Sequence, residues 1–182
     1  MPLRVLIDAT AIPADRGGVG RYVEGLVAGV HDAGADLAVV CQQDDAARFT
    51  SLAPHARVVA GPAALTRRPV RLAWEQGGLP GLVARLRATV LHSPHYTLPV
   101  RARVPVCVTL HDATFFTASR LHTPGKAAFF QSASWLAARR AASQEADWKN
   151  PALPAVCRRL AVKKVASCKV TQTGTRARTG KV

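Results

Sequence analysis

The side chains able to do chemistry in this chain of 182 residues gather at the ends of short apolar runs. Asp8 closes the first run and is followed by Gly17, Gly18, Gly20 and Arg21. His92-Ser93-Pro94-His95-Tyr96 closes a later run, and His111-Asp112 closes the next. Glycines between a strand and a helix suit an anion. The amides of a first helical turn have no intrahelical acceptor and carry the positive end of the helix dipole, and a residue without Cβ lets a ligand approach the backbone. His92, His95, His111 and Asp112 together could also be read as metal donors, but their spacing matches none of the strong zinc patterns, so no metal is expected. No Ser-His-Asp or Cys-His nucleophile arrangement stands out.

These groups can meet only if the runs are strands of one sheet. Leu3 to Ile7 reads as a buried strand, and the spacing of Tyr22, Val23, Leu26, Val27 and Val30 predicts a helix beginning at Val19, just past the glycines. Asp36 to Cys41 is a second strand, Ala46 to Leu52 a helix started by Asp44 and Asp45, and Arg57 to Ala60 a third strand. Thr66 to Arg71 is basic and interrupted by proline, either a phosphate-attracting loop or a solvated surface turn. Helical spacing covers Val70 to Trp74 and Leu79 to Leu86, split by Gly77, Gly78 and Pro80. Thr89 to His92 and Val104 to Leu110 are a fourth and fifth strand, the last starting after Pro105, which lacks a ladder donor. Pro124 opens a helix that includes Phe129, Phe130, Trp135 and Leu136 and reaches about Ala142. Continuous rather than alternating apolar strands, each followed by helix, predict an α/β fold: a Rossmann-like parallel sheet with helices on both faces. In such sheets ligands gather outside the carboxyl ends of the strands, where the three polar clusters fall.

The glycine loop fits neither of the common nucleotide motifs. Gly18 and Gly20 are not followed by the third glycine of the dinucleotide fingerprint, and Arg21-Tyr22 replaces the Lys-Ser/Thr of a Walker loop. The run D-A-T-x-I-P-x-x-x-G-G-V-G-R-Y from Asp8 to Tyr22, with LHSPHYTLP and VTLHDATFF in the same order, resembles the amino-terminal domain of family-4 glycosyltransferases, retaining enzymes built from two Rossmann domains. The resemblance covers roughly Leu3 to Ala142.

It implies transfer of a hexose such as mannose from a nucleotide sugar to a glycan or lipid acceptor, without a cofactor or metal. Gly17, Gly18 and Gly20 would offer amides to the donor phosphates or the bound sugar, with Arg21 adding charge and Tyr22 completing the motif. His111 would hydrogen-bond the transferred sugar as a neutral donor, Asp112 would orient the ring or its loop, and His95 and Tyr96 would line the acceptor side. Read from the residues alone, His92 is a structural histidine at a strand end. His95 either packs in its proline-flanked turn or touches acceptor.

The net charge of +14 is unevenly spread. Residues 1 to 142 hold sixteen basic and nine acidic residues, and residues 143 to 182 hold nine and two. One lysine falls in the first part and five in the second, so the tail follows a different compositional rule. The strand and paired glutamates that the family would place after Ala142 are not found there. The expectation is therefore a glycosyltransferase domain over 1–142 and a weakly ordered basic tail over 143–182, with a helix near Pro154 to Val165. On this reading the chain is truncated or frame-shifted, and turns over little substrate unless a second domain is supplied. The competing class is a Rossmann-like binding module whose tail contacts nucleic acid or anionic lipid, although no nucleic-acid motif or aromatic interleaving accompanies the charge. A nicotinamide oxidoreductase is disfavoured by the incomplete fingerprint. No segment approaches the roughly 18 to 20 apolar residues of a membrane span, the opening lacks a secretory-signal pattern, and Cys41, Cys107, Cys157 and Cys168 form no C-x-x-C pair. A reduced, cytoplasmic chain with at most peripheral contact at the inner face of the membrane is expected.

Overall fold

The computed structural model describes residues 3–148 except residue 112. Five strands, β1 (Arg4–Asp8), β2 (Asp36–Cys41), β3 (Arg57–Ala60), β4 (Val90–Ser93) and β5 (Val106–Val108), form one sheet in the order β3-β2-β1-β4-β5. All four pairings are parallel, with Leu6 opposite Ala38 on one side and Leu91 on the other. The fold is the α/β, Rossmann-like class that the alternation of elements predicts. The strand order reverses between β1 and β4, so the carboxyl ends of these two strands flank the crevice where such sheets bind ligands.

Alternation along the central strand assigns its two faces. Val5 and Ile7 pack with Leu37, Val39, Val23 and Val27 of α1 (Gly17–Asp32), and Phe49 of α2 (Ala46–Leu52). Leu6 turns the other way, joining Val40, Leu91 and Val106 against Leu79, Leu82, Val83 and Leu86 of α3 (Arg68–Arg85). Burying a leucine-sized side chain contributes about 1.5–3 kcal/mol, so each face is a substantial store of stability. Cys41, a free thiol in this core, is pushed up to about 12 by burial and behaves as packing, not as a nucleophile.

Two elements differ from their sequence pattern. The basic stretch before Val70 is not a loop: a 3-10 turn at Ala63–Thr66 leads directly into α3, and that helix continues through Gly77, Gly78 and Pro80 instead of splitting. Proline inside a helix removes an amide donor and crowds the preceding turn, a cost of about 3 kcal/mol. Burial of Leu79, Leu82 and Val83 on both sides of Pro80 offsets it.

The last helix, α5 (Pro124–Trp148), begins where the proline signal places it and extends past Ala142. It buries Ala127, Ser134 and Ala137, while Trp135 is 58% exposed and lies against the Arg139 guanidinium at 4.3 Å. Small residues form the buried face of this helix; the large aromatic faces out. A short helix α4 (Thr114–Thr117) precedes α5. Of the weakly ordered tail expected over 143–182, residues 149–182 lie outside the described residues, as does the helix expected near Pro154 to Val165.

Because Gly77 is exposed, with open space where a Cβ would stand, Gly77→Ala should raise the unfolding free energy by about 1 kcal/mol through helix propensity alone. Leu79→Ala in the same helix should lower it by about 2–5 kcal/mol. Urea unfolding followed by circular dichroism compares the two, and a neutral Leu79 variant would mean that α3 is not seated on the sheet as described.

Candidate functional site

The crevice at the switch point is built around a buried carboxylate. Asp8 ends β1 with no solvent exposure. Its Oδ1 accepts the Thr10 amide at 3.0 Å and the Thr10 hydroxyl at 2.6 Å, and its Oδ2 accepts His95 Nε2 at 3.2 Å. Burial alone would raise its pKa, but the donors from His95 and Thr10 outweigh it and hold the carboxyl below 3.8. From His95 the bonding runs on: Nδ1 lies 3.0 Å from the Thr97 hydroxyl, which donates at 2.6 Å to Oε2 of Glu75, a wholly buried residue of α3. Burial pushes Glu75 above 4.5, partly opposed by His95 and the Thr97 bond. Arg71 approaches the same oxygen at 3.4 Å.

This array ties the ends of β1 and β4 to α3. Gln76, the next residue on α3, extends the tie by donating to the Leu98 carbonyl at 2.9 Å and accepting the Val100 amide at 3.0 Å. Asp8, Glu75 and His95 have donor atoms within 4.8 Å of one another, the spacing a metal would need. Each of those groups is already engaged in hydrogen bonds, and the Arg71 cation stands against Glu75. The arrangement is that of a hydrogen-bonded brace.

Above the brace opens a cleft of about 410 Å3, and five of the residues singled out from sequence line it: Gly17, Gly18, His95, Tyr96 and His111. The helix begins at Gly17, two residues earlier than its apolar spacing predicts, so the glycines are its first turn and not a loop before it. Gly17 has φ +47°, the left-handed region, which explains a glycine at this junction. The preceding loop is held from the end of β2, where the Gln42 side chain donates to the carbonyls of Thr10 at 2.9 Å and Ile12 at 3.1 Å.

Gly20 does something else. Its amide donates to the Arg16 carbonyl at 2.7 Å, so it is not offered to a ligand, and a Cβ there would meet Arg16 Cβ at 2.6 Å. Gly20 is a close-packing residue beneath the cleft. Arg21 is exposed on α1 and is not among the residues lining the cleft; the hydrogen bond from Arg48 is what chiefly lowers the pKa of Glu24, and the charge of Arg21 adds a minor share. The arginine beside the glycine turn that does line the cleft is Arg16, which pairs with Glu24 at 2.9 Å and with Asp45.

His111 stands half-buried after β5, and its Nε2 donates to the Pro94 carbonyl at 2.8 Å. A carbonyl only accepts, so it fixes a proton on Nε2, and Nδ1 is the nitrogen not engaged by Pro94. Nε2 is thus engaged by the chain itself, so a sugar hydroxyl, which the resemblance assigns to this ring, would have to meet it at Nδ1. Tyr22 does not line the cleft but stands behind this histidine, its ring edge-on at 5.2 Å and its hydroxyl 3.1 Å from Thr109 Oγ1. His92 is buried, with Nε2 2.9 Å from the same threonine oxygen, and does not line the cleft. Tyr96 packs edge-on against Phe115 and Phe130 at 5.6 and 5.0 Å. His95 reaches the cleft with both ring nitrogens engaged by Asp8 and Thr97. Asp112 lies outside the described residues.

The model of the family described as Glycosyltransferase Family 4 matches residues 16–148. The chain belongs to glycosyltransferase family 4. No curated protein matches it. In this family-4 domain the matched segment takes in the glycine turn, the brace residues Glu75, His95 and Thr97, and His111, while Asp8 and Thr10 fall just before it. It also carries residues that sequence reasoning missed. Glu75 is one of them, and Arg68 with Arg71, read from sequence as part of either a phosphate-attracting loop or a surface turn, belong to α3 and line the cleft. The only sequence signal was the density of arginine after Thr66.

Two predictions follow the geometry. Gly20→Ala should lose about 1–3 kcal/mol by overpacking against Arg16, whereas Gly18→Ala, with nothing within 4 Å, should keep the fold intact in a thermal melt. For Glu75 the folded pKa lies above its ordinary 4.5, so the folded state holds this proton more tightly than the unfolded chain. Its contribution is most favourable below that value and declines as pH rises through the folded pKa, while Asp8, lowered, contributes above 3.8 and loses its contribution as pH falls through its folded pKa. Relative to the parent, Glu75→Gln should therefore gain stability as pH rises in the window that opens above 4.5 and ends at the raised folded pKa of Glu75. A pH-independent difference in denaturant midpoints would show that Glu75 does not titrate in that window.

Proposed function

We propose that this cleft is the donor-sugar wall of a retaining hexosyltransferase. A nucleotide sugar such as GDP-mannose would place its phosphates at the first-turn amides of Gly17 and Gly18, where a helix dipole ends without an acidic residue in the turn. A hydroxyl of the transferred hexose would donate to His111 Nδ1, and the Tyr96 face would carry the acceptor. The observation supporting this reading is that His111 and the Gly17-Gly18 turn, 93 residues or more apart in sequence, line the same cleft. The chemistry agrees. A leaving diphosphate gains negative charge and the anomeric carbon positive charge, and amides serve the first while a neutral imidazole tolerates the second.

The acceptor is a glycan or lipid in this proposal. Among the described residues no helix is long and apolar enough to cross a membrane, so contact with a lipid acceptor would be made from the surface.

Titration of the 15N-labelled chain with GDP-mannose, and in parallel UDP-glucose, tests the donor assignment. Shifts should concentrate at the Gly17 and Gly18 amides and the His111 ring, and His111→Ala should weaken binding by about tenfold, the worth of one hydrogen bond of roughly 1–1.5 kcal/mol. Shifts confined to other surfaces, or a His111→Ala variant that binds both sugar nucleotides as tightly as the parent, would refute the assignment.

A further inference from the structure

The part of the cleft lined by α3 has a charge pattern that transfer of a neutral sugar to a neutral acceptor does not call for. Arg68 and Arg71, on the first turns of α3, both line the cleft. The Arg68 guanidinium lies 4.9 Å from the Phe129 ring centre and 5.5 Å from that of Phe130, so two aromatic faces of α5 fix its position. Among the described residues no carboxylate lies within salt-bridge distance of Arg68. A guanidinium stacked on rings keeps its N–H edges free, the geometry that suits a bidentate oxyanion.

Arg71 is the more buried of the two, its side chain 12% exposed. Its carboxylate contact is the 3.4 Å approach to Glu75, whose oxygens also take donors from Thr97 and Gln76 and whose burial favours the neutral acid. The charge on Arg71 is therefore only weakly compensated. By contrast Arg16, the third arginine at the rim, is neutralised by Glu24 and Asp45. Asp15, the acid among the lining residues, is exposed. The cleft thus presents two cations that the chain itself leaves under-neutralised, one nearly buried and one clamped by rings, and an anion held by both would be their natural complement.

We infer that Arg68 and Arg71 form a phosphate subsite for the acceptor, which would therefore be a phosphate-bearing sugar, polyol or lipid. This rests on the cleft being the transfer site. Tyr96 and Phe129, beside the two arginines, offer apolar faces to the carbon skeleton that carries the phosphate, while the donor occupies the Gly17-Gly18 side.

The test follows the arginine Nε–Hε and backbone amide signals of the full chain during titration with mannose 6-phosphate, with free mannose as the uncharged control. A second arm measures flotation of the chain with phosphatidylcholine vesicles containing phosphatidic acid. Mannose 6-phosphate should shift Arg68 and Arg71, mannose should not, and Arg68→Gln and Arg71→Gln should each weaken binding about tenfold or more. Arg85→Gln, at the far end of the same helix, should bind as the parent does. If only the vesicles bind, and Arg68→Gln and Arg71→Gln release the chain from them, the phosphate is a lipid's and the inference stands. Because a glutamine variant can disturb α3, Arg68→Lys and Arg71→Lys are measured beside it and should retain most of the affinity.

The inference is overturned if neither phosphate probe moves the two arginines, or if the glutamine variants bind both probes like the parent. Should GDP-mannose leave Gly17, Gly18 and His111 unmoved while mannose 6-phosphate still shifts Arg68 and Arg71, the donor reading fails and the phosphate subsite survives.

Discussion

The carboxylate of Asp8 sits at the end of the central strand with no access to water, and everything around the cleft is arranged by the need to satisfy it. An unpaired charge in that position would cost several kcal/mol, so it must gather donors from whatever the topology brings near. Thr10 turns back to supply two, which shapes the start of the loop leading to the glycine turn. His95 supplies the third, which draws the segment after β4 against the end of β1. Through Thr97 the same histidine engages Glu75, so α3 is fixed in the same act. A sheet edge that could have been a floppy collection of loops is thereby given one geometry.

That geometry sorts polar groups into those used by the fold and those left for a ligand. His95, Gly20 and Arg16 are consumed: their hydrogen-bonding groups point at other parts of the chain. The first-turn amides at Gly17 and Gly18, Nδ1 of His111, and the guanidinium groups of Arg68 and Arg71 are what the cleft presents. The presented groups are donors and cations on both walls with one imidazole nitrogen accepting between them. A ligand that is anionic at its ends and rich in hydroxyls in its middle is the natural complement, in keeping with a glycosyltransferase family and with phosphate at more than one position of the bound pair.

Much of this was legible in the order of residues. The five strands, their parallel arrangement and the placement of the polar clusters at strand ends follow from apolar runs and from helix spacing, because those signals are local and repeat within one element. Pro105 marked the start of β5 and Pro124 the start of α5, since a residue without an amide hydrogen loses no bond just before a strand or in the first turn of a helix. Local rules failed where long-range packing outweighed them. Gly77, Gly78 and Pro80 would break an isolated helix, yet the buried leucines beside them hold α3 in one piece. Trp135 belongs to the apolar pattern that marks α5 as a helix, yet it is exposed, and the small residues Ala127, Ser134 and Ala137 are the buried ones.

By itself the sequence determined that this chain is a layered α/β domain with glycines at its first strand-helix junction and histidines at two later strand ends, because hydrophobic period and backbone chemistry are properties of neighbouring residues. Which of those groups remain available was decided only by tertiary structure. A hydrogen-bond donor has a single proton to give, and whether His111 or Gly20 gives it to the protein or to a ligand depends on carbonyls that only the folded chain brings into range.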